Sequence, residues 1–164
     1  MVNDLTLIFL QTAIFSWIAF TTTSWLEAES PGFTTHFGLW RSCSDVFGAG
    51  CIMLDGSGDA TFNAVQALAI FGFGFLNAGF VLLILFIFWD SCRGNGEVSM
   101  ASALLMLLSG ACWLTAAIIF AAEYLEDGFD SGYSFALAIV AAIIAFIAGV
   151  LIFVARKGVA IFSS

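Results

Sequence analysis

Four long apolar segments, separated by polar stretches, set the pattern of this chain. They run approximately over residues 5–25, 62–89, 101–122 and 133–155. Each reaches the roughly 20 residues that a helix needs to cross a bilayer core, and backbone amides in lipid must be paired, as they are in a helix. A transmembrane barrel would instead show shorter segments of alternating polarity. The pattern therefore predicts an all-α membrane protein, a four-transmembrane-helix bundle, with residues 1–164 as a single domain.

The composition fits a protein for which lipid is the main solvent. Hydrophobic residues make up 62% of the chain and charged residues 10%, which leaves too little polar surface for a water-soluble domain. The first apolar segment is as long as a full span and lacks both a basic start and an Ala-x-Ala cleavage site. We therefore expect it to be retained as a transmembrane helix rather than removed as a signal peptide.

The number of spans fixes which parts of the chain share a side of the membrane. Four spans place two loops, about 26–61 and 123–132, on one side, and both termini with the turn between the second and third helices on the other. Three of the four basic residues lie on the side of the termini and one on the loop side: Arg93, Arg156 and Lys157, against Arg41. Basic residues favour the cytoplasmic side, so this bias predicts cytoplasmic N and C termini and extracellular loops.

Acidic residues concentrate in the two loops and give the predicted extracellular face a strongly negative charge. The nine acidic loop residues are Glu27, Glu29, Asp45, Asp55, Asp59, Glu123, Glu126, Asp127 and Asp130. Such a surface attracts cations and repels nucleic acid, so no nucleic-acid partner is expected. Two interpretations stay open: the charges keep an apolar protein's loops solvated, or they attract ions or a partner directly.

Two cysteines of the first loop, Cys43 and Cys51, close a stretch of nine residues that contains Gly48 and Gly50. A disulfide persists only in an oxidising compartment, so this pair agrees with an extracellular first loop. The alternative is half of a zinc site, but no Cys-x-x-Cys or His-x-x-His accompanies the pair, which favours the disulfide. Such a bond would stabilise the loop by roughly 2.5 kcal/mol in the chain-entropy model.

The first loop also carries a recognisable motif: Trp25, then Gly38-Leu39-Trp40, then Cys43 and Cys51. This arrangement resembles the W-GLW-C-C signature of the claudin superfamily, which includes claudins, peripheral myelin protein, the epithelial membrane proteins and the gamma subunits of channels. Tetraspanins and connexins, which also have four spans, place their loop cysteines differently. The resemblance implies a small antiparallel β-sheet formed mainly by the first loop, with the Gly38-Leu39-Trp40 segment directed toward the membrane.

One position separates the branches of that superfamily. Gln66 occupies the place where many claudins have an arginine, and Val65-Gln66-Ala67 resembles the myelin and epithelial membrane proteins more closely.

Polar and small residues within the spans predict how the helices pack. Gln11, Asn77 and Thr115 are expected to form hydrogen bonds across helices. Two stripes of small residues are expected to allow close helix contacts, either inside the bundle or with a partner's helix. The stripes are Gly74 and Ala78 in the second helix, and Ala141, Ala145 and Gly149 in the fourth.

The chemistry of the chain favours a structural role over catalysis. It contains no metal-ligand spacing, nucleophile elbow or glycine-rich phosphate loop, so we expect no enzyme activity and no cofactor. Cys92, just inside the second helix, is a candidate for palmitoylation.

Two functions remain for a plasma-membrane protein of this kind. One is a component of cell junctions that contributes to adhesion, a paracellular barrier or cation-selective permeability. Its partners would be the lipid bilayer and itself or related four-span proteins. The other is an auxiliary subunit that modulates the gating or trafficking of an ion channel or receptor, with a channel subunit as its partner.

Overall fold

A computed structural model describes residues 2–30, 33–44, 50–54, 59–89, 91–92, 95–125 and 130–162. Over these residues the chain forms four helices and five short strands. The helices are α1 (Val2–Thr21), α2 (Ala60–Phe88), α3 (Gly96–Tyr124) and α4 (Tyr133–Phe162). The strands are β1 (Leu26–Ser30), β2 (Phe33–Phe37), β3 (Arg41–Ser44), β4 (Gly50–Met53) and β5 (Asp130–Ser131).

The helices support the predicted membrane bundle. Within the described residues, three helical segments are long and apolar enough to cross a membrane: Ala60–Phe88, Gly96–Tyr124 and Tyr133–Val154. The apolar part of α1 among the described residues, Leu7–Thr21, is shorter. The first helix ends before its predicted end at Trp25, because the Trp25 N–H donates to the carbonyl of Phe37 at 2.8 Å and so joins the sheet.

The helices pack in the order α2, α3, α4, α1. Contacts between α2 and α3 are the most extensive, and α1 packs on α4 more than on α2. Buried side chains form one cluster near the sheet, around Trp25, Trp113 and Phe120, and a second around Phe9 and Leu76. We call the end of the bundle that carries the sheet its outer end, and the end with the α2–α3 turn its inner end.

Small residues let α4 approach α3 closely, as predicted. Ala141 and Ala145 are fully buried, and Gly149 is buried as well. A Cβ atom on Gly149 would lie 2.8 Å from Leu107 Cγ of α3. This stripe therefore packs inside the bundle.

The predicted stripe on α2 lies on another face of its helix. Gly74 and Ala78 are exposed, and a Cβ atom on Gly74 would meet nothing within 4 Å. For these two residues, the alternative that the stripe packs inside the bundle is therefore wrong. Gly72 meets α3 instead, since a Cβ atom there would lie 2.8 Å from Trp113 Cδ1. Lipid and protein core are both apolar, so hydrophobicity alone does not show which face of a span meets its neighbour.

Two of the hydrogen bonds expected between helices form within a helix. Asn77 Nδ2 and Thr115 Oγ1 each donate to the carbonyl oxygen four residues earlier in their own helix, at 2.8 Å. A carbonyl one turn back is within reach of both side chains without any partner helix. Gln11 lies on an exposed face of α1.

Two buried serines of α3 provide hydrogen bonds to α2. Ser102 Oγ donates to the carbonyl of Gly79 at 3.0 Å, and Ser109 Oγ donates to that of Gly72 at 2.7 Å. Each acceptor is a glycine, where no side chain blocks the approach of the neighbouring helix. These bonds fix the register of α2 against α3.

The five strands form one antiparallel sheet in the order β4-β3-β2-β1-β5. The first loop supplies four of the strands, as the family resemblance implies. The second loop adds β5, which pairs with β1 through Leu26 with Ser131 and Glu27 with Asp130. The outer sheet therefore joins both loops into one layer.

Candidate functional site: the outer sheet and its attachment to the helices

The sheet carries the predicted disulfide. Cys43 of β3 and Cys51 of β4 lie directly opposite each other in the register, and their sulfur atoms are bonded. The bond closes the hairpin whose turn residues, 45–49, lie outside the described part of the chain. It fixes the pairing of the two strands farthest from β1 and β5.

Trp25 of the motif anchors the sheet in the bundle. Its side chain is fully buried, and Nε1 donates to the carbonyl of Ala19 in α1 at 2.7 Å. Its ring packs against Trp113, Phe120 and Phe135 of α3 and α4, with ring centroids 5.1 to 6.3 Å apart. Trp25 is therefore a core residue that contacts three helices, rather than a member of a lipid-facing aromatic belt.

The Gly38-Leu39-Trp40 segment lies against the outer end of α1. A Cβ atom on Gly38 would lie 2.6 Å from Thr23 Cα, so only glycine fits between the two chain segments. Leu39 is fully buried, and the Trp40 ring packs on Phe20 with centroids 5.1 Å apart. This contact holds the β2–β3 connection on the bundle.

Gln66 of α2 fixes the same segment from the other side. Its Nε2 donates to the carbonyl of Leu39 at 2.6 Å and to that of Leu54 at 3.1 Å. The side chain is 6% exposed. One amide group therefore ties α2 to both the β2–β3 connection and the residue after β4. The sequence drew attention to Gln66 only because many claudins have an arginine at this position. Its hydrogen bonds could not be predicted, because the acceptors are backbone carbonyls, which every residue has.

The second loop and α4 are tied to the segment before β1. The Gly132 N–H donates to the Trp25 carbonyl at 3.1 Å, and the Ser134 N–H donates to the Ser24 carbonyl at 2.9 Å. The hydroxyls of Thr22 and Ser134 lie 2.6 Å apart, within hydrogen-bonding distance. These bonds explain why α1 packs on α4 at the outer end.

The sheet brings together some of the predicted acidic residues. Asp130, Glu27 and His36 are direct neighbours across β5, β1 and β2. His36 Nδ1 lies 3.5 Å from Glu27 Oε1, and Asp130 is exposed. Arg41 is also exposed, at the start of β3.

Two other acidic loop residues that the structure describes, Glu123 and Asp59, are not part of this row. Glu123 is exposed near the end of α3. Asp45, Asp55, Glu126 and Asp127 lie outside the described residues, as does the side chain of Glu29. In the part of the chain that the structure covers, no three His, Cys, Asp or Glu residues form a group that could hold a metal ion.

Asp59 has a structural position rather than a place in the charged row. Its carboxylate caps α2 by accepting a hydrogen bond from the Thr61 N–H at 3.0 Å, and it also accepts one from the Tyr124 hydroxyl at the end of α3. The bond from Tyr124 and then the bond from Thr61 lower the pKa of the Asp59 carboxyl. An aspartate directly before an apolar run is a sequence signal for such a cap. No sequence signal indicates the bond from Tyr124.

The candidate palmitoylation site lies at the inner end of the bundle. Cys92 is partly exposed in the turn after α2, and its N–H donates to the Trp89 carbonyl at 2.9 Å. Phe88 and Trp89 beside it are 77% and 60% exposed. Such exposed aromatic residues are common where a helix leaves the hydrocarbon core.

Apolar helices and a disulfide-linked sheet resting on their outer end define a multi-pass membrane protein with a structured outer layer. A family model described as the PMP-22/EMP/MP20/Claudin family matches residues 2–152, and the chain belongs to this family. It is a family of structural membrane proteins rather than of enzymes. No curated protein matches the chain.

Proposed function

We propose that this protein is a plasma-membrane component of cell contacts, where its outer sheet meets a neighbouring molecule and contributes to adhesion or to a cation-selective barrier. The termini face the cytoplasm and the sheet faces the extracellular space. The basic residues support this orientation, and an oxidising compartment suits the Cys43–Cys51 bond.

One observation carries the proposal: ionisable side chains line one face of a sheet that is fixed to the bundle. Glu27, His36 and Asp130 share a row, and the same row continues through the disulfide. The opposite face includes Leu26 and Ser42, each only 7% exposed. The charged face is therefore available to ions or a partner, while the opposite face is buried at Leu26 and Ser42.

Cell mixing tests the adhesive part of this proposal. The tagged protein is expressed in cells that form few contacts, and these cells are mixed with cells that lack it. We expect enrichment at borders between two expressing cells compared with borders between an expressing and a non-expressing cell. Equal intensity at both kinds of border would contradict adhesion between copies.

Carboxylate substitutions test the cation preference. In an epithelial monolayer, Glu27→Gln with Asp130→Asn should reduce the permeability ratio of sodium to chloride, because fewer negative charges attract cations at the outer surface. Glu97→Gln is the matched control, since Glu97 is an exposed carboxylate in the first turn of α3 at the inner end. A ratio that both variants leave unchanged would contradict the charge-based mechanism.

A second function, the auxiliary subunit of a channel or receptor, is favoured by the outward face of α2. Gly74 and Ala78 are exposed there, and small residues allow another transmembrane helix to approach closely. Purification from native membranes in mild detergent distinguishes the two functions. A pore-forming subunit in stoichiometric amount would support the auxiliary role, whereas recovery with itself or junctional proteins would support the role at cell contacts.

A further inference from the structure

Strand β4 forms an apolar edge of the sheet that no further described strand covers. It pairs with β3 alone among the described strands. Ile52 and Met53 point to opposite faces and are 67% and 66% exposed. An open edge with exposed apolar side chains is an aggregation risk that natural proteins normally cover or charge, and no described residue of β4 is charged. The described strands therefore leave this edge open.

The depth of β4 follows from its link to α2. The 29 residues of α2 span about 43 Å at 1.5 Å per residue, more than the roughly 30 Å of a hydrocarbon core. Exposed Phe88 and Trp89 mark the inner boundary of that core. Counting back about 20 residues from Phe88 places the outer boundary near residue 68, close to Gln66.

The hydrogen bond from Gln66 relates the membrane depth of α2 to that of β4. Because its Nε2 bonds the Leu54 carbonyl at 3.1 Å, Leu54 lies at nearly the same level. Met53 and Ile52 precede Leu54, each about 3.4 Å further along an extended strand. Gln66 lies two residues, about 3 Å, outside that boundary, so both apolar side chains lie within about 10 Å of it.

We propose that β4 inserts its edge, through Ile52 and Met53, into the boundary between headgroups and acyl chains of the outer leaflet. The occupant is lipid, because this zone surrounds the bundle at the level of both residues and accepts apolar side chains together with the polar backbone of a strand edge. The ionisable side chains Glu27, His36 and Asp130 lie away from this edge, beyond β3. The proposal is independent of the function proposed above.

Photocrosslinking in liposomes of the purified full chain tests this inference. p-Benzoylphenylalanine is placed at Ile52, Met53, Phe71 or Asp130, one site at a time, in phosphatidylcholine vesicles. Phe71 is the membrane control, 58% exposed on α2 below the boundary. Asp130 is the water control, because it is an exposed carboxylate of β5. Intact-mass analysis counts lipid adducts and confirms that the Cys43–Cys51 bond is present.

The expected result is a lipid-adduct yield at Ile52 and Met53 that is close to the yield at Phe71 and several-fold above that at Asp130. Yields as low as at Asp130 would show that the edge lies in water and would overturn the proposal. Covalent dimers at Ile52 or Met53 would overturn it too, because a second copy would then cover the edge. The two positions lie on opposite faces of the strand, so each checks the other if one variant perturbs β4.

Discussion

Single side chains at the outer end of the bundle donate hydrogen bonds to buried or partly buried backbone carbonyl groups. Gln66 does this for the carbonyls of Leu39 and Leu54, and Trp25 does it for Ala19. Such bonds matter more through the cost of losing them than through their net strength, because an unpaired buried polar group costs about 1–3 kcal/mol. The motif residues therefore act through backbone geometry as much as through side-chain packing.

Gln66→Leu should destabilise the protein by about 2–4 kcal/mol, because two carbonyl groups lose their donor in a buried site. Gln66→Arg retains N–H donors and should cost less. Asn77→Leu is the control, since the described bond of the Asn77 side chain, to Phe73, lies within its own helix. Urea unfolding in detergent, followed by tryptophan fluorescence, measures the differences. Equal losses for Gln66→Leu and Asn77→Leu would show that the bonds to the sheet contribute nothing.

The disulfide gives a second prediction at this scale. Replacing both Cys43 and Cys51 by serine should lower the free energy of unfolding by roughly 2.5 kcal/mol and reduce the fraction of protein at the cell surface. Cys112→Ala provides the control, because Cys112 is a free cysteine in α3. Unfolding curves and surface biotinylation measure the two effects. An unchanged midpoint for the double variant would contradict the stabilising role of the bond.

The helices show which features of an element its sequence defines. Hydrophobic length predicts that α2, α3 and α4 cross the membrane, but two of these helices extend beyond their apolar segments: α3 begins at Gly96 rather than near residue 101, and α4 continues to Phe162. A helix continues through the headgroup region, where hydropathy no longer marks it. The face of α2 that contacts α3 could not be predicted, because lipid and the protein core both favour apolar side chains. The α4 stripe was predictable because its small residues are unusually regular.

Two glycines that lie two residues apart, on different faces of α2, allow a direct comparison. Gly72→Ala should destabilise the protein by about 1–3 kcal/mol, because the new Cβ would overlap Trp113 of α3. Gly74→Ala should be neutral or stabilising by up to about 1 kcal/mol, because alanine favours the helix and the added methyl meets no neighbour. Thermal unfolding in detergent compares them. A reversed order would mean that Gly74, rather than Gly72, faces a helix.

Asp59 links the start of α2 to the end of α3, and its lowered pKa gives this link a pH dependence. The stabilisation is present above the pKa of the unfolded state, about 4, and is lost as the pH falls through the lower pKa of the folded state. The stability difference between wild type and Asp59→Asn should therefore shrink on acidification below about pH 4. Tyr124→Phe should reduce this pH dependence, because the Tyr124 bond contributes most to the shift. Parallel pH profiles of wild type and Asp59→Asn would contradict this account.

At the scale of the whole molecule, the outer sheet connects helices that are distant in sequence. The segment before β1 bonds the start of α4, and Gln66 bonds the sheet to α2. The family motif predicted the first-loop sheet and its disulfide. It did not predict that β5 completes the sheet, because a strand of two residues has no periodicity to detect. The charged row was equally hidden, since register is a property of paired strands and not of one segment.

Gly132 tests this connection. A Cβ atom there would overlap the Ser24 carbonyl oxygen, and backbone atoms cannot move aside as flexible side chains can. Gly132→Ala should therefore separate the second loop from β1 and cost more stability than Gly72→Ala. Gly50→Ala is the control, because Gly50 is a sheet residue whose Cβ would meet nothing within 4 Å. Limited proteolysis should cleave the second loop faster in Gly132→Ala alone, and equal cleavage of both variants would contradict this.

The pairing of β5 with β1 also sets an order of events during synthesis. About 100 residues separate Ser30 from Asp130, and a ribosome adds about 5–20 residues per second. The edge of β1 that pairs with β5 therefore stays unpaired for about 5–20 seconds, until β5 has been synthesised. By then α2 and α3 have already been made. During that interval the open β1 edge of the nascent chain is accessible to chaperones and proteases. A variant that delays the fourth helix would lengthen this exposure without changing any contact in the finished protein.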